Sequence, residues 1–403
     1  MTEESRARPF PLLLLVLLLG AVAIAYFLLA RTPPEKDDTG VFAAKPVTYD
    51  ALDGWAGDYH ALALQTFLTS CARLDPQPVD RSMGGAGFAG AIGDWVPLCR
   101  AADKLPKDDH GAARAFFEGS FTPVAIFEGN DPEGLFTGYY VPVVDGRLKP
   151  DERFNIPLHA RPSELVMVDL GVFRESLKGQ RIAGHVENGT LVPYHERGDI
   201  AAGILEGRDL EVVWLDDAFE AFSMQIQGSG VVRLEDGSML RLGYAAQNGH
   251  PYTSVGRLLV ERGEMTLDQA SMQSIKAWME ANPEKGRSLM DENASYVFFQ
   301  KQERDGAIGA QNVILTAGRS LAVDRKYMPL GVPLWVEIDG GQERRIKRLM
   351  VAQDTGGAII GPVRGDFFWG EGDEAGQVAG RMKDRGRYYV LLPNAVAARL
   401  SVL

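Results

Sequence analysis

The chain has 403 residues, 45% hydrophobic and 24% charged, which excludes wholesale disorder and fibrous repeats and allows two or three folded units. A net charge of -12 repels phosphate backbones and argues against a nucleic-acid partner, while 45 glycines point to many turns and close backbone approaches. Two cysteines and six histidines, with no HExxH or CxxC spacing, exclude a disulfide-dense scaffold and give no signature of a metal site or a cofactor.

Arg6 and Arg8 precede a charge-free run from Phe10 to Ala30. That run matches the ~20 residues a helix needs to cross a bilayer core, and the positive-inside tendency leaves residues 1–9 in the cytoplasm. A transmembrane anchor over 10–30 is therefore expected. Its rival is a cleaved signal peptide, for which Ala23-Ile24-Ala25 supplies a small-residue site. Either way the body is exported. Residues 31–47, with Thr32-Pro33-Pro34 and Glu35-Lys36-Asp37-Asp38, read as a solvated linker.

Residues 48–120 look mainly helical. Leu64, Phe67, Leu68, Cys71 and Leu74 fall on one helical stripe that ends before Asp75-Pro76. Asp94 is placed to cap a second short helix carrying Cys99. Cys71 and Cys99 either pair or remain two buried thiols, and an oxidising compartment favours the pair.

From 124 to 250 short apolar runs alternate with turn residues, including DGR at 145–147 and EDGS at 235–238. Residues 253–292 return to helix, with Thr266 and Gln269 as a capping box and Pro283 opening a further turn. Beyond 295 the pattern is β again. Its clearest strands are Val332 to Ile338, Ile346 to Gln353 and Tyr388 to Leu392, with a turn at Asp339-Gly340-Gly341.

Chemistry concentrates in two regions. FTGYY (136–140), MQIQGSG (224–230) and QNGHPYTSVG (247–256) set glycines beside amide, hydroxyl and aromatic groups. Such groups suit an uncharged polyol, since sugars need paired donors and acceptors and present flat faces to aromatic rings. Hairpin turns with cross-strand aromatics would leave the same pattern, and His250 alone reads as a turn partner. The second region is sharper. AVDRKYMPLG (322–331) is followed by VAQDTGGAIIGPVRGDFFWGEGDEAG (351–376), which brings Asp354 and Asp366 to one glycine-rich wall. Asp366 directly precedes Phe367-Phe368-Trp369, and a carboxyl packed on aromatic surface is desolvated, as a general acid near neutral pH requires. Asp324 stands beside Arg325 and Lys326 and fits a turn acceptor.

At these residues the sequence resembles the membrane-bound lytic murein transglycosylase A family, whose "3D" domain is named for three aspartates. Asp324, Asp354 and Asp366 match them, together with FTGYY, QGSG, NGHPY, DTGGAI and GDFFWGEGDEAG, over about residues 120–395. The resemblance implies a mainly β fold with helices (α+β). A double-psi β-barrel over 48–141 and 301–403 is completed by N-terminal helices, a second β domain over 142–300 is inserted, and the substrate groove runs between them. It also implies cleavage of the β-1,4 bond between N-acetylmuramic acid and N-acetylglucosamine in peptidoglycan, without water. One carboxylic acid protonates the glycosidic oxygen, then takes the proton of the muramyl C6 hydroxyl as a 1,6-anhydro ring closes. Ordinary glycosidases flank the bond with two carboxylates. Here the nucleophile belongs to the substrate, so one residue serves as acid and then base. The match gives that role to Asp366 and a supporting catalytic role to Asp354, with Thr137, Tyr139, Gln227, Ser229 and Asp324 along the groove.

Better-known members carry a lipid-modified cysteine on the outer membrane. This chain has no cysteine near its apolar run, so the residues themselves point to the inner membrane with the catalytic body in the periplasm. Position 225 is Gln where some members carry Asp. Two other readings stand beside this one: a wall-binding protein without catalysis, and an aspartic protease built on Asp354-Thr355-Gly356, whose second copy is Asp38-Thr39-Gly40.

Overall fold

The computed structural model describes residues 42–177, 180–341 and 345–400, so the expected anchor over 10–30 lies outside the described residues. Among the described residues no helix is long and apolar enough to cross a membrane.

The first strand corrects the sequence reading. β1 (Phe42–Pro46) occupies what was read as the end of a linker, because Phe42 packs on Phe88 with centroids 5.0 Å apart. Three helices follow: α1 (His60–Leu74), α2 (Ile92–Asp103) and α3 (His110–Ser120). Leu64, Phe67, Cys71 and Leu74 of α1 are buried, as their spacing requires, and Cys71 is bonded to Cys99 of α2. Asp94 lies inside the first turn of α2 rather than ahead of it. Its Oδ2 accepts from the Ala91 N–H at 2.9 Å and caps the helix from within. The chain then runs through β2 (Phe121–Glu128), which pairs antiparallel with β1, and β3 (Gly134–Val141).

A second unit leaves from Pro142. It contains β4 (Val143–Arg147), β5 (Ile156–His159), β6 (Val166–Asp169), β7 (Arg181–Glu187), β8 (Thr190–Pro193), α4 (Arg197–Ala201) and β9 (Glu211–Leu215). After these come α5 (Ala218–Gln227), β10 (Ser229–Arg233), β11 (Met239–Gln247), α6 (Val255–Glu261), α7 (Met272–Ala281), α8 (Pro283–Asp291) and β12 (Val297–Lys301). Six of its strands form a sheet in the order β12-β11-β10-β4-β9-β5, and an Ala160–Phe299 bridge joins the two edges. β6, β7 and β8 make a separate antiparallel sheet.

Local details differ from the sequence expectations for physical reasons. EDGS at 235–238 closes the β10–β11 hairpin, but DGR at 145–147 lies within β4, where Asp145 accepts from Arg233 Nε at 2.7 Å. MQIQGSG is the end of a helix rather than a strand turn. Gly228, at φ 75°, ends α5 in the left-handed conformation and turns the chain into β10. Thr266 and Gln269 close only a turn, and α7 begins after Ser271, whose hydroxyl accepts from the Ser274 N–H.

The chain returns as β13 (Ser320–Val323), β14 (Pro333–Asp339), β15 (Arg345–Asp354), β16 (Arg364–Glu371), α9 (Gly372–Ala379), β17 (Lys383–Pro393) and α10 (Asn394–Leu400). β17, β14, β15, β13, β16 and β3 follow one another, and β3 pairs back onto β17, so these six strands close into a barrel. Phe136, Trp335, Phe367 and Tyr388 are fully buried in its core. Strand alternation sends Gln353 to the helices and Asp354 to the opposite face. The Gln353 amide donates to the Thr66 carbonyl at 3.1 Å and to Ser70 Oγ at 2.8 Å, which locks the end of β15 onto α1. A buried pair adds a second lock: Arg319 donates to both carboxylate oxygens of Asp58, at 2.6 and 2.9 Å.

Candidate active site

Strand register assembles the site. Ala322 of β13 lies opposite Asp354 of β15 on one side and Asp366 of β16 on the other, and Asp366 lies opposite Thr137 of β3. Residues in one such row share a face of the sheet. This row opens on a cleft of about 3280 Å³ whose other wall comes from the second unit, including Gln227, Ser229, Gln247 and Tyr252.

Thr137 and Tyr139 serve one aspartate each. The Thr137 hydroxyl donates to Asp366 Oδ1 at 2.7 Å, and the Tyr139 hydroxyl donates to Asp354 Oδ2 at 3.0 Å. Between them, a Cβ on Gly138 would lie 2.6 Å from Trp369 Nε1 and 2.9 Å from Ala379 Cα. Only glycine lets β16 and α9 close on β3 at this point.

The two carboxylates are not equivalent. Asp354 Oδ1 accepts from the backbone N–H groups of Ala310 and Thr355, at 2.8 and 2.9 Å, so with Tyr139 at Oδ2 each of its oxygens has a donor. Asp366 has a single donor, at Oδ1, and its Oδ2 has no partner among the described residues. Arg364 Nη2 donates to Thr137 Oγ1 at 2.8 Å, which turns the Thr137 proton toward Asp366. Burial pushes both carboxyls up to about 6. For Asp366, Arg364 and Thr137 oppose the shift and the Asp354 charge adds to it; for Asp354 its three donors oppose.

The aromatic cause of that burial differs from the sequence reading. Phe367 and Trp369 alternate away from Asp366 into the barrel, 4.6 Å apart, and only Phe368 shares its face, with its ring 5.1 Å from Tyr139.

The remaining expected residues divide. Asp324 borders the cleft, but both of its oxygens accept from backbone, the Lys326 N–H and the Gly361 N–H, each at 2.9 Å. It is a turn acceptor that fixes the loop after β15. Gln227 Oε1 accepts from the Tyr140 N–H at 3.1 Å and holds the end of β3 against α5, while Ser229 opens β10 and lines the cleft. His250 is paired with the Tyr194 carbonyl at 2.7 Å, as a turn histidine would be. Sequence reasoning missed Arg364 and the Ala310 and Thr355 amides. Arg364 was findable, because it stands two residues before Asp366 in a strand and so shares its face.

Residues 135–300 match the MltA specific insert domain, and residues 319–392 match the 3D domain. Membrane-bound lytic murein transglycosylase A of Escherichia coli strain K12 is 35% identical over 276 residues, 66% of this chain and 67% of that protein. The chain belongs to the membrane-bound lytic murein transglycosylase A family. The Vibrio cholerae member is 32% identical over 65% of this chain and 67% of its own. Among solved structures, the membrane-bound lytic murein transglycosylase from Agrobacterium tumefaciens matches with a TM-score of 0.80 at 32% identity, covering 89% of this chain and 99% of that one. E. coli MltA with bound chitohexaose matches with a TM-score of 0.64 at 26% identity, over 87% and 91% of the two chains. This is thus a lytic transglycosylase by family, and the aspartic-protease reading falls. Its second motif, Asp38-Thr39-Gly40, lies outside the described residues.

Proposed function

We propose that the protein cleaves the β-1,4 bond between N-acetylmuramic acid and N-acetylglucosamine in peptidoglycan, with Asp366 acting first as acid and then as base. The asymmetry of the two carboxylates carries this reading. Of the two, only Asp366 has an oxygen without a hydrogen-bond partner among the described residues, and burial lifts its carboxyl to about 6.

In the first step Asp366 protonates the glycosidic oxygen and the bond to the muramyl C1 breaks. In the second, the C6 hydroxyl attacks C1 and its proton passes to the Asp366 carboxylate. The acid is thereby regenerated and a 1,6-anhydro ring closes. Asp354, fixed by three donors, supplies negative charge beside the positive charge that develops at C1, and it helps Asp366 retain its proton beforehand. Thr137 and Arg364 orient Asp366, while Gln227, Ser229 and Asp324 shape the groove. In this reading 48–141 with 301–403 forms the catalytic body and 142–300 is the inserted wall. The substrate assignment draws support from the E. coli relative, which binds chitohexaose. A site on the periplasmic face of the inner membrane draws support from the apolar run Phe10 to Ala30 and from relatives named membrane-bound.

Mass spectrometry of muropeptides from digested sacculi tests the reaction. Anhydro-muramyl ends are expected. Reducing ends would mean that water is the nucleophile, and peptides released from intact glycan would indicate a different class.

A further inference from the structure

Asp354 is held from behind as well as from the cleft. Its neighbour Gln353 is fully buried on the opposite face of β15, against α1. The Gln353 amide nitrogen is shared among three acceptors of that helix, the Thr66 carbonyl, Thr69 Oγ1 and Ser70 Oγ, at 3.1, 2.9 and 2.8 Å. A carbonyl can only accept, so the NH₂ side of this amide must face α1. Its Oε1 accepts from Ser320 Oγ at 2.6 Å, and Ser320 Oγ in turn accepts from the Thr316 N–H at 2.8 Å. The orientation of Gln353 is therefore fixed from both ends.

One link leaves this buried network toward the site. Ser70, also fully buried, donates its hydroxyl proton to Gln311 Oε1 at 2.7 Å, across 241 positions of sequence. The Gln311 N–H donates to the Gln353 carbonyl at 3.0 Å. The residue just before it, Ala310, sends its N–H to Asp354 Oδ1 at 2.8 Å. Gln311 is thus tied by its side chain to α1 and by its backbone to β15, and the next amide along the chain holds the carboxylate. The loop has little room to shift. A Cβ on Gly309 would lie 2.6 Å from the Gln353 carbonyl oxygen and 3.3 Å from Asp354 Cβ, an approach that glycine alone permits. The far end of the link is tied too, because Cys71, bonded to Cys99, directly follows Ser70.

We propose that Ser70 and Gln311 are positioning residues for glycan cleavage, carrying the placement of α1 to the Ala310 N–H and so fixing the Asp354 carboxylate in the cleft. The proposal rests on the supporting role given to Asp354 above. Neither residue exchanges a proton with substrate. Without the link, Ala310 drifts from Asp354, and the carboxylate keeps only Thr355 and Tyr139 as donors. A misplacement of about 1 Å costs up to ~10²-fold in rate, and with two donors left a loss of about tenfold is expected.

The test reads kcat and KM for release of soluble glycan from sacculi, whatever the chemistry of the new ends. Gln311 is half-buried, so Gln311→Ala is the first variant and Ser70→Ala the second. Each should lower kcat about tenfold with KM changed less than about twofold, and the double variant should cost no more than either alone. In an Asp354→Asn background Gln311→Ala should cost less than about twofold, because the group it positions has lost its charge. Hydrogen exchange gives a readout without turnover: the Ala310 N–H should exchange about tenfold faster in Gln311→Ala than in wild type. A full tenfold loss retained beside Asp354→Asn, a lower melting temperature with kcat intact, or unchanged exchange at Ala310 would each overturn the relay. Wild-type kcat in Asp354→Asn alone would defeat the role given to Asp354. Loss of rate in Asp354→Asn with none in Gln311→Ala would defeat the relay and leave that role standing.

Discussion

Replacing Asp366 by Asn should abolish turnover and raise stability at the same time. Burial lifts this carboxyl from 3.8 to about 6 in the folded protein, so the native state binds its proton more tightly than the unfolded chain does. The favourable contribution is complete below pH 3.8 and is lost as pH rises through about 6. At pH 7 the ionised carboxylate therefore costs the fold up to about 3 kcal/mol. Asn removes the charge yet keeps an oxygen to accept from Thr137 at Oδ1. Urea unfolding of Asp366→Asn should show a gain approaching that figure at pH 7 and almost none at pH 4. Turnover should fall by at least the ~10²–10⁴ attributed to a general acid or base, since one residue fills both roles. Retention of more than about a tenth of wild-type rate would misplace the acid, with Asp354 the next candidate. A variant equally destabilised at both pH values would refute the electrostatic argument, because a loss independent of protonation is a packing loss.

Asp354→Asn should lower kcat less, by about 10- to 100-fold, since Oδ1 can still accept from Ala310 and Thr355 while Tyr139 reorients; steady-state kinetics on sacculi decides this. For wild type, kcat/KM should fall as pH rises through about 6, where Asp366 loses the proton it donates. Arg364→Met removes the guanidinium that lowers the Asp366 carboxyl, so the fall should move to higher pH; an unmoved limb would sever Arg364 from the site. His60 is fully buried with neither ring nitrogen partnered among the described residues, and burial lowers it from 6.5 to about 4. Stability should be intact above pH 6.5 and decline toward pH 4, by up to about 3 kcal/mol from this residue, and His60→Phe should flatten that part of a melting-temperature profile. Breaking the Cys71–Cys99 bridge, which spans 28 residues, by Cys99→Ser should cost about 2–4 kcal/mol in denaturant, and non-reduced peptide mapping of wild type should return one cross-linked pair.

What the sequence disclosed follows from how local each feature is. The α1 stripe, the end of β15 at Asp354 and the turn role of Asp324 depend on neighbours within a few residues, and all were legible. The family resemblance then implied one site for Asp354, Asp366, Thr137 and Tyr139 before any pairing was known. The pairing itself was not legible. That Ala322 stands between the two aspartates, or that Ala310 sends its N–H to Asp354 across 44 positions, is a product of register. Helix and strand were also confused where one glycine changes the outcome. MQIQGSG carries a strand-like glycine break, but six buried positions between Phe219 and Gln225 make it a packed helix ended by Gly228. β1 was lost because five residues behind a charged, proline-containing stretch have no period to read.

Two carboxylates facing one cleft would ordinarily suggest a hydrolase. In an inverting glycosidase they stand ~6.5–9.5 Å apart with a water between, and in a retaining one ~5–5.5 Å with the second as nucleophile. Asp354 and Asp366 flank the single strand β13, so their backbones are two strand spacings apart, roughly 10 Å. That is a backbone spacing and does not fix the carboxyl separation on which the two hydrolase classes differ. The hydrogen bonds discriminate between the two residues. A general base must present a lone pair to water, and a nucleophile must present one to C1; Asp354 uses both lone pairs of Oδ1 on two backbone amides and one of Oδ2 on Tyr139, which leaves it the more constrained of the two. Freeing an oxygen would leave buried donors unpaired, at about 1–3 kcal/mol for each. Asp366, whose Oδ2 has no partner among the described residues, is the better placed of the two to exchange a proton with substrate, as proposed above. A single exchangeable carboxyl fits the proposed reaction, in which the attacking oxygen is part of the sugar and returns its proton to the same residue. Under that proposal the C6 hydroxyl takes the place of water, and the anhydro-muramyl end is the product that separates the two routes.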